Sequence, residues 1–477
     1  MHSLTLARGL GPGIRELDIT SSLTMHIPPT IDSGPMMRCQ VMSSYCADYF
    51  PCLKLTKDVN PTHFVFMGIF ALSPKSLMLE TACSALAYIF QGKFHHDEHI
   101  LQHGVRLYNR AIRQLACAMS RKADTVSTED IVYTTVIFQQ IQNHYCPHSL
   151  DQWLAHIDGL NAIMRHYSSV LKWIPSTPLL DAVCGEYQKF QVALTGFMHQ
   201  SDDIITWLKE PRKGGIWVQY LELLIELSRI GKAVSLTNTT DHAAFKSLLA
   251  DCLALETKHL DFWTKINPER EPPTYARGEL NTGISPTDDF FGPAYRFSCL
   301  DDAILHSVLW VAMSFLYPLI RQCRILANAK GTLHHTRSNL LIDDFQDEAH
   351  RLSLSYVSKA ARCLPYCGQK GMNAWGMSYA VWVATQASRV YAHAKDWDRF
   401  MWAQNALLYV ESLGFGTAGQ FSIMWGNYWF ETHKHDAYRV MSLRSPIGKE
   451  KDKMSPYGDA HVYEYQESQN RVSIAWK

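Results

Sequence analysis

β-structure has almost no footing in this 477-residue sequence. Polar and apolar residues nowhere alternate for long, no Asn-Gly turn joins two apolar runs, and β-branched residues rarely cluster. A charge surplus of either sign is also missing: 45 Lys and Arg face 45 Asp and Glu, for a net charge of +0. A chain built mainly to grip a phosphate backbone carries a basic excess, so that task is disfavoured. Paired Cys-x-x-Cys spacings are absent as well. The 12 cysteines are scattered, which predicts free thiols in a reducing compartment and makes Asn238-Thr-Thr240 a chance sequon. Near the start, Gly9-Leu-Gly-Pro-Gly13 breaks the chain before any apolar run reaches signal-peptide length. The longest apolar stretch, Ala303–Ile320, is interrupted by His306, Ser307, Ser314 and Pro318, and so reads as a buried core helix and not a membrane span.

What the chain does have is helical periodicity and aromatic bulk. Charged residues make up 19% and aromatic residues 12%, a balance that excludes intrinsic disorder. Residues 1–60, punctuated by Gly9, Gly11, Pro12, Gly13, Pro28, Pro29 and Pro35, read as an irregular lead-in. Beyond them, Leu79, Cys83, Leu86 and Phe90 recur at amphipathic spacing over 77–90. Val105, Tyr108, Ile112, Leu115 and Met119 do so over 100–119. Ser127-Thr-Glu-Asp130 is a start signal for a helix through Ile141, because a Ser side chain can satisfy free amides in the first turn. Trp153, Ile157, Leu160 and Met164 form one stripe over 153–167. Further helices are predicted near 179–198, 215–233, 242–265, 295–327, 342–364, 374–394, 397–413 and 418–431. Residues 266–292, rich in Pro, Gly, Thr and Asp, predict a crossing loop, and 436–477 a polar tail. The expected fold is all-α: a large multi-helix bundle of antiparallel helix pairs, or two packed helical halves, over 61–435.

Several motifs invite chemistry and mostly fail their context. Gly414-Phe-Gly-Thr-Ala-Gly419 matches the dinucleotide fingerprint, which needs a preceding strand to aim its helix at a pyrophosphate. Here Phe400, Ala403, Ala406, Leu407, Val410 and Leu413 precede it at helical spacing, so Gly414 is better read as a left-handed helix stop. Asp343-Asp-Phe-Gln-Asp347 has the spacing of the magnesium-binding motif of class I terpenoid cyclases and prenyltransferases, and this is the alternative, enzymatic reading. No second metal-binding set follows: Asp396, Asp398 and Glu431 do not form one. The acids also suit a helix start, where negative charge complements the dipole. His95, His99 and His103 step along one possible helix face that could hold zinc, but read better as a solvated helix start. His334-His335 and His433-Lys-His435 are weaker signals. Cys39, Cys46 and Cys52, with only Arg38, Lys54 and Lys57 nearby, do not make a zinc cluster. No Gly-x-Ser-x-Gly elbow or phosphate-cradling loop occurs. No catalytic residue, metal ligand or cofactor site is therefore assigned, and the chain is not expected to be an enzyme.

Three pieces in order carry a likeness. Ala82-Cys-Ser-Ala85, Leu107-Tyr-Asn-Arg-Ala-Ile-Arg-Gln-Leu115 and Trp153-Leu-Ala-His-Ile-Asp-Gly-Leu-Asn-Ala-Ile163 resemble the regulatory domain of fungal-specific transcription factors. The later run from Cys363 through Gly368, Gly371, Ala380–Ala392 and Trp397 to Gly414-Phe-Gly416 is similar too, so the likeness spans roughly residues 63 to 430. Trp153, His156 and Gly159 fall on one side of a helix. A packing role is expected for them: core volume, a carbonyl hydrogen bond and a close helix approach. The family's DNA reader is a six-cysteine binuclear zinc cluster. Residues 1–60 hold three cysteines and five Lys or Arg, so that contact carries over to no residue here. The resemblance implies a nuclear transcription-regulator-like protein acting on metabolic or secondary-metabolite genes. It implies as partners the transcription machinery or a DNA-binding paralogue, together with a small-molecule effector, and no membrane.

Overall fold

The computed structural model describes residues 35–50, 61–120, 127–145, 150, 153, 157–159, 161–163, 165–166, 177–183, 215–267, 271–276, 279–284, 287–328, 348–369 and 374–433. Among them the architecture is all-α, with two isolated β-bridges and no strand. The N-terminal helices are α1 (Pro35–Tyr49), α2 (Pro61–Leu72), α3 (Leu77–Phe94), α4 (Glu98–Ser120), α5 (Thr128–His144) and the short α6 (Pro178–Ala182). The central helices are α7 (Ile216–Leu236), α8 (His242–Ile266) and α9 (Leu300–Asn328). After them come α10 (Glu348–Ala361), α11 (Leu364–Cys367), α12 (Trp375–His393), α13 (Trp397–Ser412) and α14 (Gly416–Thr432).

Two helical hairpins are closed by the same device. Between α3 and α4, His96 takes φ 54, and between α12 and α13, Lys395 takes φ 57. Each is followed by an aspartate that caps the next helix. Asp97 accepts from the amides of His99 and Ile100, and Asp396 from that of Arg399. With three-residue turns, the second helix of each pair folds straight back along the first. Gly104 permits that closeness, because a Cβ there would lie 2.7 Å from the backbone nitrogen of Ile89.

Burial revises the expected stripes. α3 is not amphipathic but central: Met78, Leu79 and every residue from Thr81 to Gly92 are buried, held between α1, α4 and α5. On α4 the inward face is Leu101, Gly104, Tyr108, Ala111, Leu115 and Ala118, while Ile112 and Met119 look outward. The lead-in expectation is also corrected. Residues 35–49 form α1, whose Val41, Tyr45 and Tyr49 lie four apart and enter the core. Tyr45 stacks on Tyr49 at 5.1 Å and meets Phe70 and Phe90 edge-on. The start signal at Ser127 holds, its side chain accepting from the amides of Glu129 and Asp130 at 3.1 and 3.3 Å. The crossing segment is a loop as expected, pinned by bridges from Thr274 to Tyr295 and from Thr282 to Gln369. The Arg362 guanidinium lies 3.7 Å from the Tyr295 ring centroid. Residues 436–477 lie outside the described residues.

Helix α9 is long and apolar enough to cross a membrane, yet 89% of its most apolar window is buried inside the bundle. Pro318 sits within it, and a proline offers no amide to the carbonyl four residues back. That carbonyl belongs to Ser314, which is fully buried. Ser353 of α10 fills the gap, its hydroxyl donating to the Ser314 carbonyl at 2.9 Å. Removing that donor leaves a buried carbonyl without this bond. Ser353→Ala should therefore lower unfolding free energy by about 1–3 kcal/mol, read by chemical denaturation. Ser355→Ala, two residues along the same helix and exposed, serves as the control.

Candidate functional site

The polar contact at Pro318 continues into the molecule. Ser314 Oγ donates to the Val311 carbonyl at 2.7 Å and accepts from Gln386 Nε2 of α12 at 2.8 Å. Gln386 Oε1 in turn accepts from Arg389 Nε at 2.8 Å, and the Arg389 guanidinium lies 4.4 Å from the Phe315 ring centroid. Two residues after Gln386, Ser388 Oγ accepts from Gln404 Nε2 of α13 at 2.9 Å, and Ser422 of α14 donates to Gln404 Oε1 at 2.8 Å. Gln386, Ser388, Gln404 and Ser422 are all buried, so α9, α10, α12, α13 and α14 are fastened by side-chain amides and hydroxyls as well as by apolar contact.

At the surface end of α12 this network meets a group of basic side chains. His393 lies four residues after Arg389, hence on the same helix face. Its Nδ1 pairs with Tyr428 Oη at 2.9 Å, and His433 Nε2 lies 2.9 Å from the Ala392 carbonyl. A carbonyl only accepts, so His433 Nε2 carries the proton. Arg389 and Tyr428 are half-buried and His393 keeps surface exposure. Partial desolvation lowers the His393 pKa from its ordinary value, helped by Arg389, His433 and His350 of α10. Burial also lowers Arg389, to about 10, which leaves it charged at neutral pH.

A second buried polar cluster absorbs the fingerprint motif. Gly414 takes φ 93, the left-handed stop expected of it, and follows helix α13, not a strand. Its carbonyl accepts from His144 Nδ1 at 3.0 Å. That contact fixes the proton on Nδ1, so Nε2 accepts from Gln140 Nε2 at 3.3 Å, and the same amide donates to Tyr49 Oη. The His144 ring is enclosed by Tyr49, Phe90 and Phe415. A Cβ at Gly419 would fall onto the Glu411 carboxylate, so the start of α14 already faces a negative charge.

The other sequence candidates fare unequally. Asp343–Asp347 and His334-His335 lie outside the described residues, and Glu348 opens α10. His95 lies off α4, so it does not join His99 and His103 on one helix face. His95 caps the end of α3 and is exposed, His99 is exposed in the first turn of α4, and His103 meets the Tyr88 ring at 4.6 Å. Cys39 and Cys46 ride on α1 as free thiols, and Cys52 lies outside the described residues. Trp153 is a core residue, 5.9 Å from Phe421, as expected. Gly159 is corrected: it is exposed, and a Cβ there would meet nothing within 4 Å, so it permits no close helix approach. His156 lies outside the described residues. Among the described residues no three His, Cys, Asp or Glu side chains come together as a metal-holding group. Arg389, His393 and Tyr428 were not singled out in the sequence, and His433 was passed over. The available signal was the four-residue step from Arg389 to His393 on a helix with no other charged residue.

Burial lowers the His144 pKa from 6.5 to about 4, while the bond to Gly414 pulls weakly the other way. Unfolding exposes an imidazole that binds a proton more readily. The stabilisation is thus complete above pH 6.5 and is lost as the pH falls toward 4. His144 alone accounts for about 3 kcal/mol of that loss. His144→Gln should flatten the fall in unfolding free energy across this window, measured by urea denaturation at stepped pH. His259, lowered to about 4 by burial, should supply a similar slope that remains.

No family model matches the chain, and no solved structure matches it. A stretch of 137 residues is 25% identical to an uncharacterized protein of Emericella nidulans. The match covers 28% of this chain and 29% of that relative's length.

Proposed function

We propose that the chain is a helical regulatory domain of the kind found in fungal transcription regulators, acting through protein contacts and tuned by a small effector. The observation that carries this reading is the shared core of the segments on which the resemblance rests. Ala82-Cys-Ser-Ala85 is buried on α3, and Tyr108, Ala111 and Leu115 of α4 face it. Trp153 contacts Phe421 of α14, and the Gly414-Phe-Gly416 turn is held by His144 of α5. The first and last parts of the likeness thus meet in one packed unit, as a domain-wide relationship requires. A fungal protein among the similar sequences fits the same reading. Nuclear location, and a DNA-binding paralogue or the transcription machinery as partner, belong to this proposal. So does a small effector that favours one packing of the helices over another.

Two measurements test it. Fused to a heterologous DNA-binding domain in a fungal host, the chain should change reporter output several-fold relative to that domain alone; an unchanged reporter overturns the proposal. The purified chain, with no charge surplus and no six-cysteine cluster in residues 1–60, should give no footprint on promoter DNA. A sequence-specific footprint that survives physiological salt would show a DNA reader within this chain.

A further inference from the structure

We propose that the outer face of α4, where Arg106, Arg110 and Arg113 run beside Val105, Ile112 and Met119, docks an amphipathic helix of a partner protein that carries a row of carboxylates next to an apolar row. The inference gives the protein contacts of the regulatory reading a surface, and it stands or falls separately from that reading.

The sequence of α4 sets up the face. Leu101, Gly104, Tyr108, Ala111, Leu115 and Ala118 turn into the bundle, which leaves the opposite side of the helix to water. Arg106, Arg110 and Arg113 are all exposed there, at steps of four and three residues that place them on one face. The single acid of α4 is Glu98, in the first turn, and it accepts from Gln102 Nε2 at 2.6 Å. None of the three guanidiniums has an ion pair or hydrogen bond among the described residues. Like charges at this spacing oppose the helix that carries them, so the row weakens α4 and has no local compensation. A charged row alone would be a solvated face, but a second row runs beside it. Val105, Ile112 and Met119 recur every two turns along the flank between the arginines and the buried side. Val105 is half-buried, and Ile112 and Met119 are 36% and 39% exposed.

The two rows together select the partner. A guanidinium presents a planar fork of donors that a carboxylate fills through two parallel hydrogen bonds. From Arg106 to Arg113 the helix rises about 10 Å, so carboxylates one turn apart on a second helix meet the row in register. Laid alongside, such a helix places its own apolar row on Ile112 and Met119. A nucleic-acid backbone would engage the arginines and leave the apolar row against water. A lipid surface would need apolar side chains that project past the arginines, whereas these lie on the flank.

The probe is a fluorescent synthetic helix about five turns long, with glutamates along one row and leucines along the next. Its controls are the same composition in scrambled order and a version with glutamine in place of glutamate. Anisotropy titration with the full chain should show saturable binding that weakens as salt rises, both controls binding about tenfold more weakly. Combining Arg106→Gln, Arg110→Gln and Arg113→Gln should weaken the probe about tenfold and remove most of the salt dependence, each exposed pair contributing a factor of about two to five. The same variant should unfold at no lower denaturant concentration, because it loses only exposed, mutually repelling charges. Ile112→Gln should weaken binding several-fold and keep the salt dependence. A probe bound no better than its scrambled control, affinity unchanged in both variants, or equal displacement by duplex DNA of matched charge overturns the surface. A chain that binds the probe as described yet leaves the reporter unmoved supports the surface and overturns the regulatory reading. A responsive reporter with no probe binding does the reverse.

Discussion

A missing hydrogen bond at Pro318 organises the C-terminal half of this molecule. The proline lies inside the most apolar helix, α9, where the Ser314 carbonyl is denied its usual amide partner and is cut off from water. Satisfying it requires a donor from another helix, and Ser353 of α10 provides one. Ser314 Oγ, itself donating to the Val311 carbonyl, accepts from Gln386, which in turn accepts from Arg389. The gap left by the proline is thus met by a bond from α10, and the same serine is tied to α12.

The second fastening works by the same logic at the other end. His144 is too buried to be charged, so it needs one acceptor and one donor and finds them in the Gly414 carbonyl and the Gln140 amide. This ties α5 to the turn between α13 and α14, and through Tyr49 to α1. Aromatic rings fill the surrounding volume, and the polar atoms specify the arrangement among the many that apolar contact alone would allow. Helices joined by a few directional bonds across α10, α12 and α14 are suited to discrete rearrangement, since such contacts are either made or broken.

Much of the fold was legible along the chain. Ser127 marked a helix start because its side chain serves amides two and three residues away, and Gly414 marked a stop because a left-handed residue is cheapest as glycine. Both are local bonds, readable within one turn. The apolar stretch Ala303–Ile320 was rightly read as core. Helix α1 was missed because Pro35 and the glycines before it signalled irregular chain, although proline is well tolerated in a first helical turn. Ile112 and Met119 were assigned inward on α4 by apolar spacing, whereas the close approach to α3 turned Gly104, Ala111 and Ala118 inward instead. The Arg389 cluster was not assembled from the sequence, for His433 and His393 are forty residues apart and only the step from Arg389 to His393 is local.

The sequence by itself determined the helical class, most helix limits and the failure of the glycine fingerprint. Each depends on periodicity or on bonds spanning three or four residues. Tertiary structure alone decided which faces turned inward, that Ser353 would serve the carbonyl exposed by Pro318, and that Arg389, His393, Tyr428 and His433 would converge. Those outcomes rest on contacts between residues far apart in the chain, such as the 72 separating Ser314 from Gln386. A 3.6-residue repeat says that a helix has an inner face, but only the helices packed against it determine what that face meets.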